Sequence, residues 1–173
     1  MAPYETISSW SVSRRKDNMR VYFAGPLFSE AERAFNLSLA EKLEARGYEV
    51  YLPQRDGVES KKPPYNKMSN DELQKTIFET DRDNVLQADI FLFVLDGRVP
   101  DEGACVELGL AYGHKHLLQQ DKLLIGLHTD MRGAFPDGKL NAMINSALDS
   151  TMNEEDMLVA EIEAFKSARK TSV

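Results

Sequence analysis

Apolar positions along the chain follow two rhythms. Four short unbroken runs, "MRVYFAG" from Met19, "YEVYLP" from Tyr48, "IFLFVLDG" from Ile90 and "KLLIGLH" from Lys122, end at turn residues and predict strands. "IFLFVLDG" is apolar without alternation, the pattern of a strand covered on both faces. Between the runs the spacing turns helical. "SEAERAFNLSLAEKLEARG" carries Ala34, Leu37, Leu39, Ala40 and Leu43, with Ser29 and Glu32 as a capping box and Gly47 as its close. "SNDELQKTIFETDRDNVLQAD" predicts a second helix with room for a break, capped by Ser69 or Asn70. A third runs from about Gly103 to Leu118. "KLNAMINSALD" reads as a helix or half-buried segment, and "NEEDMLVAEIEAFKSAR" as a last helix with Met157, Leu158, Ile162 and Phe165 on one face. Gln54 to Met68, rich in Pro, Lys and Asn, reads as a long loop of the kind that tends to be functional.

Strands alternating with helices imply right-handed βαβ units. The expected fold is α/β: a single-domain, Rossmann/flavodoxin-like parallel sheet of about five strands with helices on both faces. Residues 19–173 form that domain, and residues 1–18, polar and ending in "SRRKDN", are expected to be a flexible extension. Ligands in such folds sit beyond the carboxyl ends of the strands. That rule selects Ala24–Phe28, the stretch from Gln54, Asp96–Glu107 and the segment after His128.

Composition narrows the partners. Among 173 residues, 42% are hydrophobic and 28% charged, an ordinary soluble balance. A net charge of −7 argues against nucleic-acid or anionic-membrane binding, which needs clustered Lys and Arg. Cys105 is the single cysteine, so an intrachain disulfide is impossible and a cytoplasmic location is the simplest expectation. No apolar run reaches transmembrane length, and the N-terminus lacks a secretory pattern. There is no P-loop, no strand-following GxGxxG, no zinc spacing among the His and Cys residues, and no nucleophile elbow.

The acids carry more information. Asp101 follows the most apolar strand, and Glu107 lies six residues further on among small and apolar neighbours. A buried carboxylate is costly without partners. Two readings of this stretch stand side by side: a capping Asp101 with an edge-exposed Glu107, or a catalytic pair. Asp81, near the end of the preceding helix, reads alone as solvated surface, and Tyr22, inside the first strand, reads alone as core. Asn141 and Met143 would pass as two faces of one helix.

Taken in order, "VYFAGPLF", "YLPQRDG", "FETDRDNVLQADIFLFVLDG", "DEGACVELGLAYG" and "LNAM" resemble the nucleoside 2-deoxyribosyltransferases, over most of the chain from Met19 to about Ala147. The resemblance implies that Glu107 is the nucleophile that attacks the anomeric carbon of 2-deoxyribose, and that Tyr22 holds its carboxylate. It implies that Asp81 and Asp101 lie near the base and that one of them protonates it on departure. It assigns Gln54 to the base pocket and Phe28 to the pocket wall, and counts Gly25 with them among the substrate-binding residues. Asn141 and Met143 match residues lent by a neighbouring subunit. The implied activity is ping-pong transfer of 2-deoxyribose between nucleobases in nucleoside salvage, with no metal and no organic cofactor. Its partners are deoxynucleosides, free nucleobases and further copies of the chain, in a dimer-based homo-oligomer that extends in this family to hexamers. The residue types suit the reaction, because a carboxylate can trap the oxocarbenium-like centre left when a glycosidic bond breaks. An alternative is hydrolysis of 2-deoxynucleoside 5′-monophosphates by relatives of similar fold. Those carry serine in place of Asn141 and lack an acid at the position of Asp101, so both residues favour transfer.

Overall fold

The computed structural model describes residues 18–130 and 140–171; the expected N-terminal extension lies outside the described residues but for its last position, Asn18. The chain runs β1 (Arg20–Ala24), α1 (Glu30–Glu44), β2 (Glu49–Tyr51), α2 (Pro53–Asp56), α3 (Asn70–Gln87), β3 (Ile90–Val94), α4 (Glu102–Leu117), β4 (Leu123–Leu127), α5 (Ala142–Ala147), β5 (Ser150–Met152) and α6 (Glu155–Thr171). The strands form one parallel sheet in the order β2-β1-β3-β4-β5. That is the expected α/β class, with the reversal of strand order between β1 and β3 that opens a crevice at their carboxyl ends.

Every residue of β3 and of β4 is buried, as their unbroken apolar runs require. One face of the sheet packs Val21, Phe23, Leu92 and Ile125 against Leu39 and Leu43 of α1 and Leu158 and Ile162 of α6. The other face packs Tyr22, Phe91, Phe93 and Leu124 against Val85 of α3 and Ala104, Leu108 and Ala111 of α4. The helix ends follow their sequence signals. Ser29 with Glu32 and Ser69 with Glu72 form complete capping boxes, and α3 is continuous rather than broken.

Several local expectations are corrected. A fifth strand, Ser150–Met152, completes the expected count of about five, at an edge the four apolar runs did not locate, because three partly exposed residues carry no apolar rhythm. The Gln54–Met68 stretch is not all loop. Pro53 opens the short α2, and a 3-10 turn spans Tyr65–Lys67. On α1, Leu37 and Ala34 face outward while Asn36 is buried. On α6, Val159 faces inward and Met157 is about half exposed. Among the described residues, no helix is long and apolar enough to cross a membrane.

Candidate active site

Parallel pairing places Tyr22 of β1 opposite Tyr51 of β2 on one side and Phe91 of β3 on the other. Directly paired residues share a face of a sheet, so three rings form a row across it. The Tyr22 ring stacks on Tyr51 with centroids 5.5 Å apart and on Phe91 at 5.8 Å. Over this row, α4 brings Glu107 and α3 brings Asp81. Tyr22 Oη donates to Glu107 Oε1 at 2.7 Å, and Tyr51 Oη donates to Asp81 Oδ1 at 3.2 Å. Two phenols on the sheet thus hold two carboxyls on the helices, each leaving its second oxygen uncommitted by these bonds.

Burial dominates the electrostatics. Glu107 is pushed up from 4.5 to about 7, first by loss of water; the Tyr22 hydrogen bond pulls it down, and nearby Asp81 and Asp101 push it up. Asp81 is also raised by burial, against the opposing hydrogen bond from Tyr51. The Tyr22 hydroxyl is driven well above the ordinary phenol range, by burial and then by the Glu107 charge, so it remains a donor.

This placement has a measurable cost. The folded state holds a proton on Glu107 up to about 7, whereas an unfolded chain releases it near 4.5. Below 4.5 both states are protonated; between the two values the folded state binds more protons and loses stability as pH rises. The loss amounts to about 3 kcal/mol above pH 7. Glu107→Gln, which keeps an acceptor for Tyr22, should match wild type in denaturant unfolding at pH 4 to 4.5. It should exceed wild type by about 3 kcal/mol at pH 8. A gap that does not change with pH would contradict the burial of this carboxyl.

The other expected site residues fall into different places. Asp101 is the N-cap of α4, its Oδ1 accepting from the Ala104 N–H at 2.8 Å, while it also acts electrostatically on Glu107. The expected cap holds for Asp101, whereas Glu107 is turned inward onto Tyr22 rather than exposed at the edge. Gly25 ends β1 with φ +153°, and a Cβ there would lie 2.9 Å from Val94 Cβ, so the turn beside the site admits only glycine. Phe28 is 75% exposed on the following loop. Gln54 is fastened to α1: its Nε2 donates to Arg33 O at 2.8 Å and its Oε1 accepts from Asn36 Nδ2 at 3.2 Å. That bond explains the buried Asn36, which also donates to Pro26 O. Asn141 caps α5 through Oδ1, and Met143 beside it is 80% exposed. Neither is bonded to Glu107 or Asp81 of its own chain. An open cleft of about 680 Å³ lies on the α1 side of the strand ends, lined by Pro26, Glu32, Phe35, Asp96 and Thr129; it holds neither carboxyl of the paired site. Among the described residues no group of three His, Cys, Asp or Glu side chains is arranged to hold a metal ion.

Tyr51 is the residue that sequence reasoning passed over. Its only signal was a second tyrosine one strand away, and the register that aligns it with Tyr22 is not written in either strand alone.

A family model described as nucleoside 2-deoxyribosyltransferase matches residues 21–143. Among solved structures, a conserved protein from Enterococcus faecalis V583 is 26% identical, with TM-score 0.68 over 85% of this chain and 98% of its own. A 2-deoxyribosyltransferase from Bacillus psychrosaccharolyticus is 23% identical, with TM-score 0.61 over 80% of this chain and 89% of its own. A 2-deoxyribosyltransferase from Leishmania mexicana is 17% identical, with TM-score 0.54 over 83% and 95%. The last two likenesses bear on the fold. No curated protein sequence matches the chain.

Proposed function

We propose that this chain, which belongs to the nucleoside 2-deoxyribosyltransferase family, exchanges nucleobases on 2-deoxyribose through a covalent deoxyribosyl ester of Glu107. The observation that carries the reading is the part-buried Tyr22–Glu107 hydrogen bond, with a second raised carboxyl, Asp81, acting electrostatically on Glu107. Tyr22 fixes Oε1 of Glu107, and Oε2 attacks the anomeric carbon. The C–N bond to the base breaks with its electron pair going to the base, which takes a proton from Asp81. A different base then attacks the same carbon, gives its proton back to Asp81, and Glu107 leaves. Residues 19–173 act as one catalytic domain, in the cytoplasm.

Asp81 rather than Asp101 serves as the proton donor. Asp101 Oδ1 is committed to the first turn of α4, whereas Asp81 is held by a phenol and raised by burial. Asp101 acts through the field it adds at Glu107 and the base. Gln54, Phe28 and Gly25 belong to the pocket margin, with Gln54 holding Asn36, whose amide bonds the Pro26 carbonyl.

The direct test supplies one deoxynucleoside and a different free base. A new deoxynucleoside that appears only with the acceptor supports transfer. Base release from a 5′-monophosphate with no exchanged product would contradict it.

Asn141 and Met143 serve the site of a neighbouring copy in a homo-oligomer built on dimers. An 80%-exposed methionine beside a helix cap, on a helix packed against α4, suits such a role. Glu107→Ala and Asn141→Ala should each be strongly impaired alone. After the two are unfolded together and refolded, a randomly paired dimer should regain about a quarter of wild-type activity, since one of two sites in each hybrid is complete. Absence of any recovery in verified hybrids would refute the shared site.

A further inference from the structure

We propose that Tyr51 is a positioning residue that fixes which oxygen of Asp81 delivers the proton to the departing base. The inference rests on the transfer reading above and adds a residue to it. Tyr51 Oη donates to Asp81 Oδ1 at 3.2 Å. A protonated carboxyl has one carbonyl oxygen that accepts and one hydroxyl that donates. A donor fixed on Oδ1 therefore assigns the proton to Oδ2, the oxygen left to face the base.

The phenol is suited to hold that geometry. Its ring is paired in register with Tyr22 and stacked on it at 5.5 Å and 20°, so it cannot swing without breaking the row. Burial, followed by the charge of Asp81, keeps its hydroxyl protonated and donating. The row itself separates packing from chemistry. Tyr51 and Tyr22 each carry a hydroxyl and each meets a carboxyl, while Phe91, the third ring, has none and fills its place by packing alone. Had the ring of Tyr51 served only the core, phenylalanine would fill it equally well.

The test is Tyr51→Phe, which keeps the stacked ring, assayed for base release from two donors. An ordinary purine deoxynucleoside needs its base protonated on departure. The N7-methylated purine deoxynucleoside carries a cationic base that leaves neutral without a proton. The expected result is a fall on the order of 10- to 100-fold for the ordinary donor, part of what a positioned acid contributes. The N7-methylated donor should change less than about threefold, the residue left when proton donation is not needed. Equal losses with both donors, or no loss with either, would overturn the proposal. A second measurement is independent of turnover: in carboxyl carbon NMR, removing the Tyr51 donor should raise the Asp81 titration midpoint above wild type, and an unchanged midpoint would overturn it. The two readings fail differently. A wild type that releases no base from either donor refutes the transferase, while the titration still decides whether Tyr51 holds Asp81.

Discussion

Replacing Glu107 with alanine is expected to lower base exchange roughly 10⁴-fold or more, the scale on which an enzyme loses its nucleophile. Folding should not explain the loss. The wild-type carboxyl is held at about 7 by burial, so its ionised form is a cost to the fold at neutral pH. Its removal leaves the Tyr22 hydroxyl without this partner, a penalty of about 1–3 kcal/mol. That cost is offset in large part by the charge no longer buried. The unfolding midpoint at pH 7.5 should therefore stay near that of wild type while exchange is lost. Substantial exchange by a folded Glu107→Ala protein would remove the nucleophile from the mechanism.

The second large effect concerns the acid. Asp81→Asn should slow exchange from ordinary deoxynucleosides by ~10²–10⁴-fold, the usual contribution of a positioned proton donor. Asparagine keeps an oxygen for Tyr51 but has no acidic proton to give. Asp101→Asn makes the contrast. Asn is as good an N-cap as Asp, so α4 keeps its first turn, and proton delivery from Asp81 continues. Its loss should be at least tenfold smaller than that of Asp81→Asn. The pH dependence separates the roles further. Glu107 attacks only when ionised, so single-turnover attack on an N7-methylated donor should rise with pH and level off above about 7. If Asp101→Asn were the more damaging substitution, the proton donor would have to be reassigned.

Much of the framework was legible in the chain because local rules govern it. "IFLFVLDG" reads as a covered strand from its short unbroken β-branched and aromatic run, and Ser29 with Glu32 formed the box that their spacing announced. Asp101 as a cap was likewise readable from its place before a helix. What escaped depended on tertiary partners. The edge strand Ser150–Met152 exists because β4 offers it a ladder, not because three polar-leaning residues ask for one. Asn36 is buried because a carbonyl of Pro26 and the amide of Gln54 meet it there. Val159 in place of Met157 reflects how α6 is rotated against β4 and β5.

The site divides the same way. Tyr22, Asp81, Asp101 and Glu107 could be named from a family pattern, but their pairing could not. The register of three parallel strands sets Tyr51 beside Tyr22, and the approach of α3 and α4 to one face sets a carboxyl on each hydroxyl. Asn141 and Met143 show the converse case. Both sit at the start of the short helix α5, where Asn141 serves as the cap and Met143 is exposed, so the subunit's own fold does not assign them to the site.

Intact-protein mass spectrometry tests the covalent step most directly. Wild type mixed with a deoxynucleoside and no acceptor should gain the mass of one 2-deoxyribosyl unit per chain, mapped to Glu107 and discharged on addition of a free base. Brisk exchange with no such adduct, or an adduct that persists in Glu107→Ala, would contradict the account.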